Sequence, residues 1–396
     1  MERPRSVGLP SRQESSPMMG KAIKQGGSTL ADPAAAVVDL YNQLAMPDME
    51  LVVFHCSAAY DLSRVADTIN KLFQGVTVVG CTTAGEIGLS GYQEGGICGY
   101  SFAKFSATAT VQVFNDLSGF SVAEGVDAIT ARRHELEDQV GSVTPLNTFA
   151  FMMIDGLSMR EEMVARAVHG GLGEIPLIGG SAGDGLRFEQ TNVFHDGAFR
   201  SNCAVVVLVQ TLFRFKAFKT QHFIRTEERI VVTDSVPSKR TIMEINGYPA
   251  VQEYARAVGL TVKELTPMIF AAYPVMVRIG DAEYMRSIQR VTPEGDLVFY
   301  CAIDTGIVLT VAKGVDLIDN LERALHEVVS DIGQPQIIIG CDCILRNLEI
   351  KQKGLLDRAS QVLKRYRVVG FNTYGEQFNG MHVNQTFTGI AIGAEQ

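Results

Sequence analysis

The sequence predicts an α/β fold made of three related strand-helix-strand units with an inserted antiparallel β meander. The main observation is a phrase that occurs three times, as VVGCTTAGE at residues 78–86, LIGGSAGD at 177–184 and VVGFNTYGE at 368–376. Each copy is an apolar strand ending in glycine, followed by small or polar residues, a second glycine and an acid. Unrelated segments rarely coincide this well, so the copies indicate an internal repeat whose turns converge.

The residues before each phrase repeat as well. LVVFHCS at 51–57, TFAFMMID at 148–155 and QIIIGCDC at 336–343 are apolar runs of strand length. Each precedes a helical stretch that leads into the phrase. A strand, a helix and a second strand form the connection that parallel strands require.

The composition limits the classes of function that the chain can have. The chain has 396 residues, 46% of them hydrophobic, which suits two or three domains with buried cores. No apolar run reaches 18 residues, so we expect no membrane span. A net charge of −9 argues against a nucleic-acid partner, which normally meets a basic face. Seven cysteines, an odd number and several of them in apolar runs, favour a reducing, cytoplasmic location.

The first domain is predicted to follow a tail. Residues 1–28 are rich in Pro, Gly, Ser and Gln without an apolar core, which predicts a disordered tail and no signal peptide. Asp32 and Pro33 predict the start of a helix that ends near Leu44. The further elements of this domain, residues 29–212, are the unit at 51–86, strands at 96–103 and 108–114, a charged helix at 122–139, the unit at 149–184, and a hairpin leading to a buried strand at 203–209.

The second domain is predicted to span residues 213–396. After Gln210 the residues alternate between apolar and polar, as in an antiparallel strand with one wet face. A helix at 250–258 and an antiparallel meander at 271–311 follow. The third unit and a strand at 386–392 close the chain.

Several of these phrases resemble one known family. FHCSAAYDL, VVGCTTAGEIGLSGYQEGG and LIGGSAGDG resemble the N-terminal half of the FIST sensory domain. RSIQRVTPEGDLVFYCAIDTGIVLTVAKG, GCDC and VVGFNTYGEQFNGMHVNQTFTGIAIG resemble its C-terminal half. The resemblance covers roughly residues 30–395 in the right order. It implies a two-domain FIST architecture and a bacterial signal-input sensor with no catalysis of its own.

The phrases TQHF and NGMHVNQT resemble the stand-alone branch of that family, which binds haem and senses nitric oxide. This resemblance implies non-covalent haem b, a gas as ligand and a partner histidine kinase whose activity the sensor regulates. The alternative within the family is an amino acid or other small metabolite bound without haem. Neither alternative excludes a homo-oligomer.

Haem would need an axial ligand, most commonly a neutral imidazole. The resemblance implies His222 as the first candidate for the iron ligand and His382 as the second, because TQHF is more particular to the haem-binding branch. For each residue a hydrogen-bonded structural histidine is an equally good explanation. The sequence leaves both explanations open.

The turn glycines also have two explanations. They could let backbone N–H groups bind an anion, or they could simply permit tight turns at a crowded strand end. The candidate pocket glycines are Gly80, Gly85, Gly179, Gly183, Gly370 and Gly375.

Ser181 provides a third, enzymatic hypothesis. GGSAG fits the G-x-S-x-G pattern of a serine hydrolase, in which a helix follows the nucleophile immediately. The residues after Asp184 lack helical periodicity, so we expect no hydrolase chemistry at Ser181.

Overall fold

The computed structural model, which describes residues 21–280 and 282–395, shows three copies of one chain plan. Each copy has a strand, a helix, two parallel strands joined by helix, a short β hairpin and a closing strand. The first copy contains β1 (Ile23–Ser28), α1 (Pro33–Leu44), β2 (Met49–Ser57), α2 (Leu62–Leu72), β3 (Thr77–Thr83), β4 (Glu86–Gly88), β5 (Gly91–Gln93) and β6 (Ile97–Ala103). The second copy contains β7 (Ala107–Asn115), α3 (Val122–Val140), β8 (Thr148–Ile154), α4 (Glu161–Leu172), β9 (Leu177–Ser181), β10 (Val193–His195), β11 (Ala198–Arg200) and β12 (Cys203–Thr211).

The third copy is interrupted after its first strand, β13 (Phe213–Thr220), by an inserted subdomain. The insert contains β14 (Phe223–Val236), β15 (Thr241–Ile245), β16 (Tyr248–Pro249), α5 (Ala250–Ala257), α6 (Pro267–Ala272), β17 (Val275–Ile279), β18 (Ala282–Arg286), β19 (Ile288–Val291), β20 (Leu297–Phe299) and β21 (Val308–Gly314). The copy resumes with α7 (Leu317–Ile332), β22 (Ile337–Cys343), α8 (Ile344–Gln352), α9 (Leu356–Arg365), β23 (Val368–Thr373), β24 (Glu376–Phe378), β25 (Met381–Val383) and β26 (Phe387–Glu395).

The three copies exchange their hairpins in a cycle. Hairpin β4-β5 of the first copy pairs with β23, β24-β25 of the third copy pairs with β9, and β10-β11 of the second copy pairs with β3. Each resulting sheet has six strands, in the orders β1-β6-β2-β3-β10-β11, β7-β12-β8-β9-β24-β25 and β13-β26-β22-β23-β4-β5. This exchange joins the three copies into one unit with approximate threefold symmetry.

The sheets surround a shared apolar core. Side chains from all three meet there, including Val53, Phe151, Met153, Ile339 and Phe371. The helices cover the outer faces, where each sheet has its own core against helices of its copy. Burial on both faces explains why the parallel strands are apolar throughout.

The inserted subdomain is antiparallel, as predicted, and wider than the predicted meander. Its sheet has the order β18-β17-β21-β14-β15-β20-β19, with β16 beside β15. Its own core packs α5 and α6 against these strands.

The predicted α/β class and the three units are confirmed, and one element needs correction. The predicted tail, residues 1–28, is too long, because residues 23–28 form β1 and pair with β6. Residues 1–20 of that tail lie outside the described part of the chain. The first predicted helix is confirmed as α1, with the Asp32 carboxylate accepting from the Ala35 N–H at 2.9 Å. None of the described helices has the length and apolarity that a bilayer crossing needs.

Candidate functional site

The three repeated turns meet one another, as the sequence predicts. We call residues 82–86 turn one, residues 181–185 turn two and residues 372–376 turn three. Each pair of turns shares two backbone hydrogen bonds. Turns one and three are joined by Ala84 N to Asn372 O (3.0 Å) and Asn372 N to Gly85 O (2.7 Å), and turns one and two by Gly183 N to Thr82 O (3.0 Å) and Gly185 N to Thr83 O (3.1 Å). Turns two and three are joined by Ser181 N to Gly375 O (2.9 Å) and Tyr374 N to Ser181 O (3.2 Å). Much of the turn backbone therefore serves to join the copies.

Two of the turn acids hold the turn to the strand that follows the hairpin. The Glu86 carboxyl accepts from Thr83 Oγ1 at 2.6 Å and from Gly96 N at 3.0 Å. Glu376 accepts from Thr386 Oγ1 at 2.6 Å in the equivalent place. Burial raises the pKa of Glu86 to about 7 and that of Glu376 to about 8. These two acids therefore stabilise the turns of the fold.

The acid of turn two, Asp184, organises the loop after it. Its carboxylate accepts from the backbone N–H groups of residues 188–190, each at 2.9 Å, and from the Tyr374 hydroxyl. Burial acts to raise the pKa of Asp184, but these hydrogen bonds outweigh it and lower the pKa. The Phe188 ring stacks on the Tyr374 ring with centroids 4.3 Å apart.

A cavity of about 530 Å³ opens where turns one and two face helix α8. We call it the strand-end cavity, because it lies at the carboxyl ends of the parallel strands β2 and β3, where open α/β sheets commonly bind ligands. Its lining comes from the end of β2 (Ser57, Ala58, Ala59), turn one (Thr83, Ala84, Gly85, Glu86), the loop before β6 (Glu94, Gly95), turn two and the loop after it (Asp184, Gly185, Leu186, Arg187), and α8 (Ile344, Asn347, Leu348, Lys351).

The lining combines small side chains with polar groups of both signs. Arg187 is about half exposed, and its Nε donates to Asp184 O at 3.1 Å. Lys351 forms an ion pair with Glu94, which also lines the cavity. Asn347 is 2% exposed and lines the cavity, and no described residue forms a hydrogen bond with its amide. An amide that lines a cavity without a protein partner is a group that a ligand can bind.

The opposite face of α8 carries a buried network. Arg346 is fully buried and donates from Nε to Asp342 Oδ1 at 2.7 Å and from Nη1 to His222 Nδ1 at 3.0 Å. His222 Nε2 lies 2.8 Å from Glu349 Oε2. The Tyr92 hydroxyl donates to the other Asp342 oxygen at 2.5 Å. Helix α8 therefore contacts the cavity on one face and His222 on the other.

This network decides how well His222 fits an iron atom. Nδ1 accepts from the Arg346 guanidinium, which has no lone pair to offer, so the ring proton resides on Nε2 and points to Glu349. An iron-nitrogen bond would have to displace one of these two partners. As placed here, His222 is a structural histidine and does not fit a haem.

His382 has one ring nitrogen without a partner, but there is no space beside it for a haem. Its Nδ1 lies 3.2 Å from Gln377 Nε2, and its buried Nε2 has no partner. The ring packs directly on turn three, where a Cβ added at Gly375 would lie 2.2 Å from His382 Cε1. Burial lowers the pKa of His382 to about 4. The ring is 2% exposed and outside the strand-end cavity, so a macrocycle has no room beside it. No metal-ligand cluster occurs among the described residues.

Most of the candidate pocket glycines have a packing role. A Cβ at Gly80 would lie 2.6 Å from Phe54 O, and the equivalent distances at Gly179 and Gly370 are 2.3 and 1.8 Å. A Cβ at Gly183 would lie 2.7 Å from Ala84 N, and Gly375 meets His382 as described. Gly85, with φ of +137°, is the one of the six that lines the strand-end cavity. The crowded-turn explanation therefore accounts for the other five.

Ser181 lacks the surroundings of a catalytic serine. It is fully buried, and its Oγ accepts from Gln377 Nε2 at 2.9 Å. The residues after β9 form a loop through residue 192, so no helix supplies an oxyanion hole. Sequence reasoning missed the cavity residues Arg187, Asn347 and Lys351, which carry no motif.

Comparison with known proteins gives the following. Residues 50–248 match the family model of the FIST N domain, and residues 250–379 match that of the FIST C domain. Among solved structures, a cyanuric acid hydrolase from A. caulinodans is similar at 8% sequence identity and a TM-score of 0.39, over 94% of this chain and 99% of that chain. That likeness is too low to support an argument about function. No curated protein matches the chain.

Proposed function

The chain belongs to the FIST family of signal-transduction sensor domains, and we propose that it senses a small polar metabolite bound in the strand-end cavity. The observation that carries the proposal is the Asn347 amide, which lines this cavity and has no hydrogen-bond partner among the described residues. A volume of about 530 Å³ suits a small metabolite.

The charges at the cavity favour a zwitterionic ligand such as an amino acid. Arg187 and Lys351 can pair with a carboxylate, while Glu94 can accept from an ammonium group. The small side chains of Ala58, Ala59 and the neighbouring Ala84 leave space for the ligand's own side chain. This is the metabolite alternative that the family resemblance implies.

Helix α8 supplies a route by which binding can alter the rest of the molecule. On one face of α8, Asn347, Leu348 and Lys351 line the cavity. On the other face, Arg346 and Glu349 contact His222, which lies where the chain enters the inserted subdomain. A sensor requires the ligand to favour one arrangement over another. A shift of α8 on binding would be transmitted to the insert through these two contacts.

The finer expectations stay predictions. Two of these predictions rest on the resemblance of short phrases alone: a separate histidine kinase as the receiver and nitric oxide as the signal. None of the contacts described above supports either prediction. On haem our proposal departs from the resemblance, because the surroundings of His222 and His382 do not fit this group.

A ligand screen tests the proposal. The purified protein is heated with each of the twenty amino acids and with small dicarboxylates, and every stabilising compound is titrated by calorimetry. A ligand at 100 times its Kd stabilises the native state by about 2.7 kcal/mol. Ala59→Trp places a large side chain at the cavity, whereas Ala131→Trp adds the same side chain on the exposed face of α3.

We expect a compound whose binding is lost in Ala59→Trp and kept in Ala131→Trp. If no compound in the set binds, or if both variants bind it equally well, the strand-end cavity is not the sensory site.

A further inference from the structure

A second cavity, also of about 530 Å³, lies in the inserted subdomain. Strands β14, β17, β18 and β21 contribute to its walls. We call it the arginine cavity, because its charged lining consists of Arg225, Arg229, Arg278, Arg286, Glu283 and Asp304. It shares no lining residue with the strand-end cavity.

Arg286 is the unusual member of this lining. The residue is 8% exposed, and the one hydrogen bond of its guanidinium goes from Nη1 to the Met285 carbonyl at 3.0 Å. No carboxylate of the described chain pairs with it. Burial and the positive charge of Arg286 lower the pKa of Lys219. A buried guanidinium is costly to keep unless an anion pairs with it.

Four arginines and two acids line the cavity. Arg225 lies 3.6 Å from Glu283, which is the one carboxylate in the lining that pairs with it. Arg229 is exposed on the same strand, beyond an irregularity in the pairing of β14 with β21, and no described residue accepts from it. Asp304 is the other acid of the lining. Local positive charge of this kind is unexpected in a chain with a net charge of −9.

We propose that the arginine cavity binds the oxyanion group of a small metabolite, with Arg286 and Arg229 as its main donors. A guanidinium presents parallel N–H groups that match the oxygens of a phosphate or a carboxylate. Such a ligand would supply the partner that Arg286 lacks. The cavity would then be a second input site, on the subdomain that α8 contacts through His222.

Calorimetric titration at low ionic strength tests this site, because screening by salt weakens exposed charge pairs. Pyrophosphate and citrate serve as probes and separate phosphate from carboxylate recognition. Arg225→Ala/Arg229→Ala removes two exposed arginines of the cavity. Arg323→Ala/Arg358→Ala removes two exposed arginines from α7 and α9 and changes the net charge equally.

The expected result is saturable binding of at least one probe, weakened by about tenfold or more in the cavity variant and unchanged in the control. Arg286→Gln, with its fold checked by circular dichroism, is expected to lose the same probe. The absence of saturable binding, or an equal loss in both double variants, overturns the proposal. Ala59→Trp should leave probe binding intact, so failure of the strand-end site and failure of this one are separable.

Discussion

Arg346 on helix α8 donates a hydrogen bond of 3.0 Å to Nδ1 of His222, a residue 124 positions earlier in the chain. His222 lies between β13 and β14, where the chain enters the inserted subdomain. Its carbonyl accepts from Val315 N at 2.7 Å, where the chain returns. One pair of side chains thus joins the helix beside the strand-end cavity to the root of the insert.

Replacement of Arg346 should destabilise the protein strongly. Arg346→Met leaves the fully buried Asp342 carboxylate without its cation, and loss of one partner of a buried ion pair costs about 3–5 kcal/mol. Urea unfolding followed by circular dichroism measures the loss. Arg358→Met, at an exposed position on α9, should stay within about 0.5 kcal/mol of the parent. A cost below about 1 kcal/mol at Arg346 would show that Asp342 is neutral or hydrated.

A haem titration should give no specific complex. Both ring nitrogens of His222 have partners, and His382 packs on Gly375 without space for a macrocycle. Visible absorption of the protein titrated with haem should therefore show no saturable Soret band. His222→Ala and His382→Ala are compared with His134→Ala, which changes an exposed histidine of α3. A band at one haem per chain that disappears only in one of the first two variants would restore the haem hypothesis.

Stability should fall as pH rises, in part because of Glu376. Burial raises the pKa of Glu376 in the folded protein to about 8 from an ordinary value of 4.5, so between these values the native state holds a proton that the unfolded chain releases. The unfolding free energy then decreases with pH, by at most about 1.4 kcal/mol per unit from this group. Below pH 4.5 its contribution is fully present.

Glu376→Gln remains neutral and should flatten the pH dependence between pH 5 and 8, measured by urea unfolding at each pH. Glu86→Gln should do the same over a narrower range, because burial raises the pKa of Glu86 only to about 7. Glu327→Gln, at an exposed site on α7, should leave the slope unchanged. An unaltered slope in Glu376→Gln would mean that this carboxyl ionises normally in the folded state.

Because the strand ends are crowded, we expect an added methyl group there to lower the free energy of unfolding strongly. At Gly370 a Cβ would lie 1.8 Å from the Gly340 carbonyl oxygen, which is backbone and cannot move aside easily. Gly370→Ala should cost about 3 kcal/mol or more, or prevent folding. Gly119→Ala serves as control, because the nearest atom to its Cβ would be 3.8 Å away. Equal midpoints of thermal unfolding for the two variants would contradict the close register of β22 and β23.

The repeated units could be predicted because the local pattern of apolar residues determines where their strands and helices form. The apolar runs before Ser57 and Thr83 and the helix between them have the lengths of a parallel pair with its connection. Asp32 and Pro33 likewise predicted the start of α1. The antiparallel insert followed from alternation and turn residues.

Other features depend on partners that are distant in sequence. Strand β1, with the sequence IKQGGS, has no strand pattern of its own and forms because β6 pairs with it. The hairpin exchange involves strands of three residues whose partners lie in another copy. The strand-end cavity needs α8, more than two hundred residues after turn one, so Asn347 could not be recognised as a cavity residue. For His222 the sequence left an iron-binding and a structural role open, because its partners, Arg346 and Glu349, could not be recognised from the sequence.

Hydrogen-deuterium exchange of the ligand-bound protein tests the central claim most directly, namely that a small metabolite binds beside α8 and acts through it. With the compound found in the screen, the account predicts slower exchange in α8, residues 344–352, and in turn one, together with altered exchange at residues 221–224 next to His222. Protection confined to regions away from α8, or unchanged exchange throughout at saturating ligand, would contradict the account.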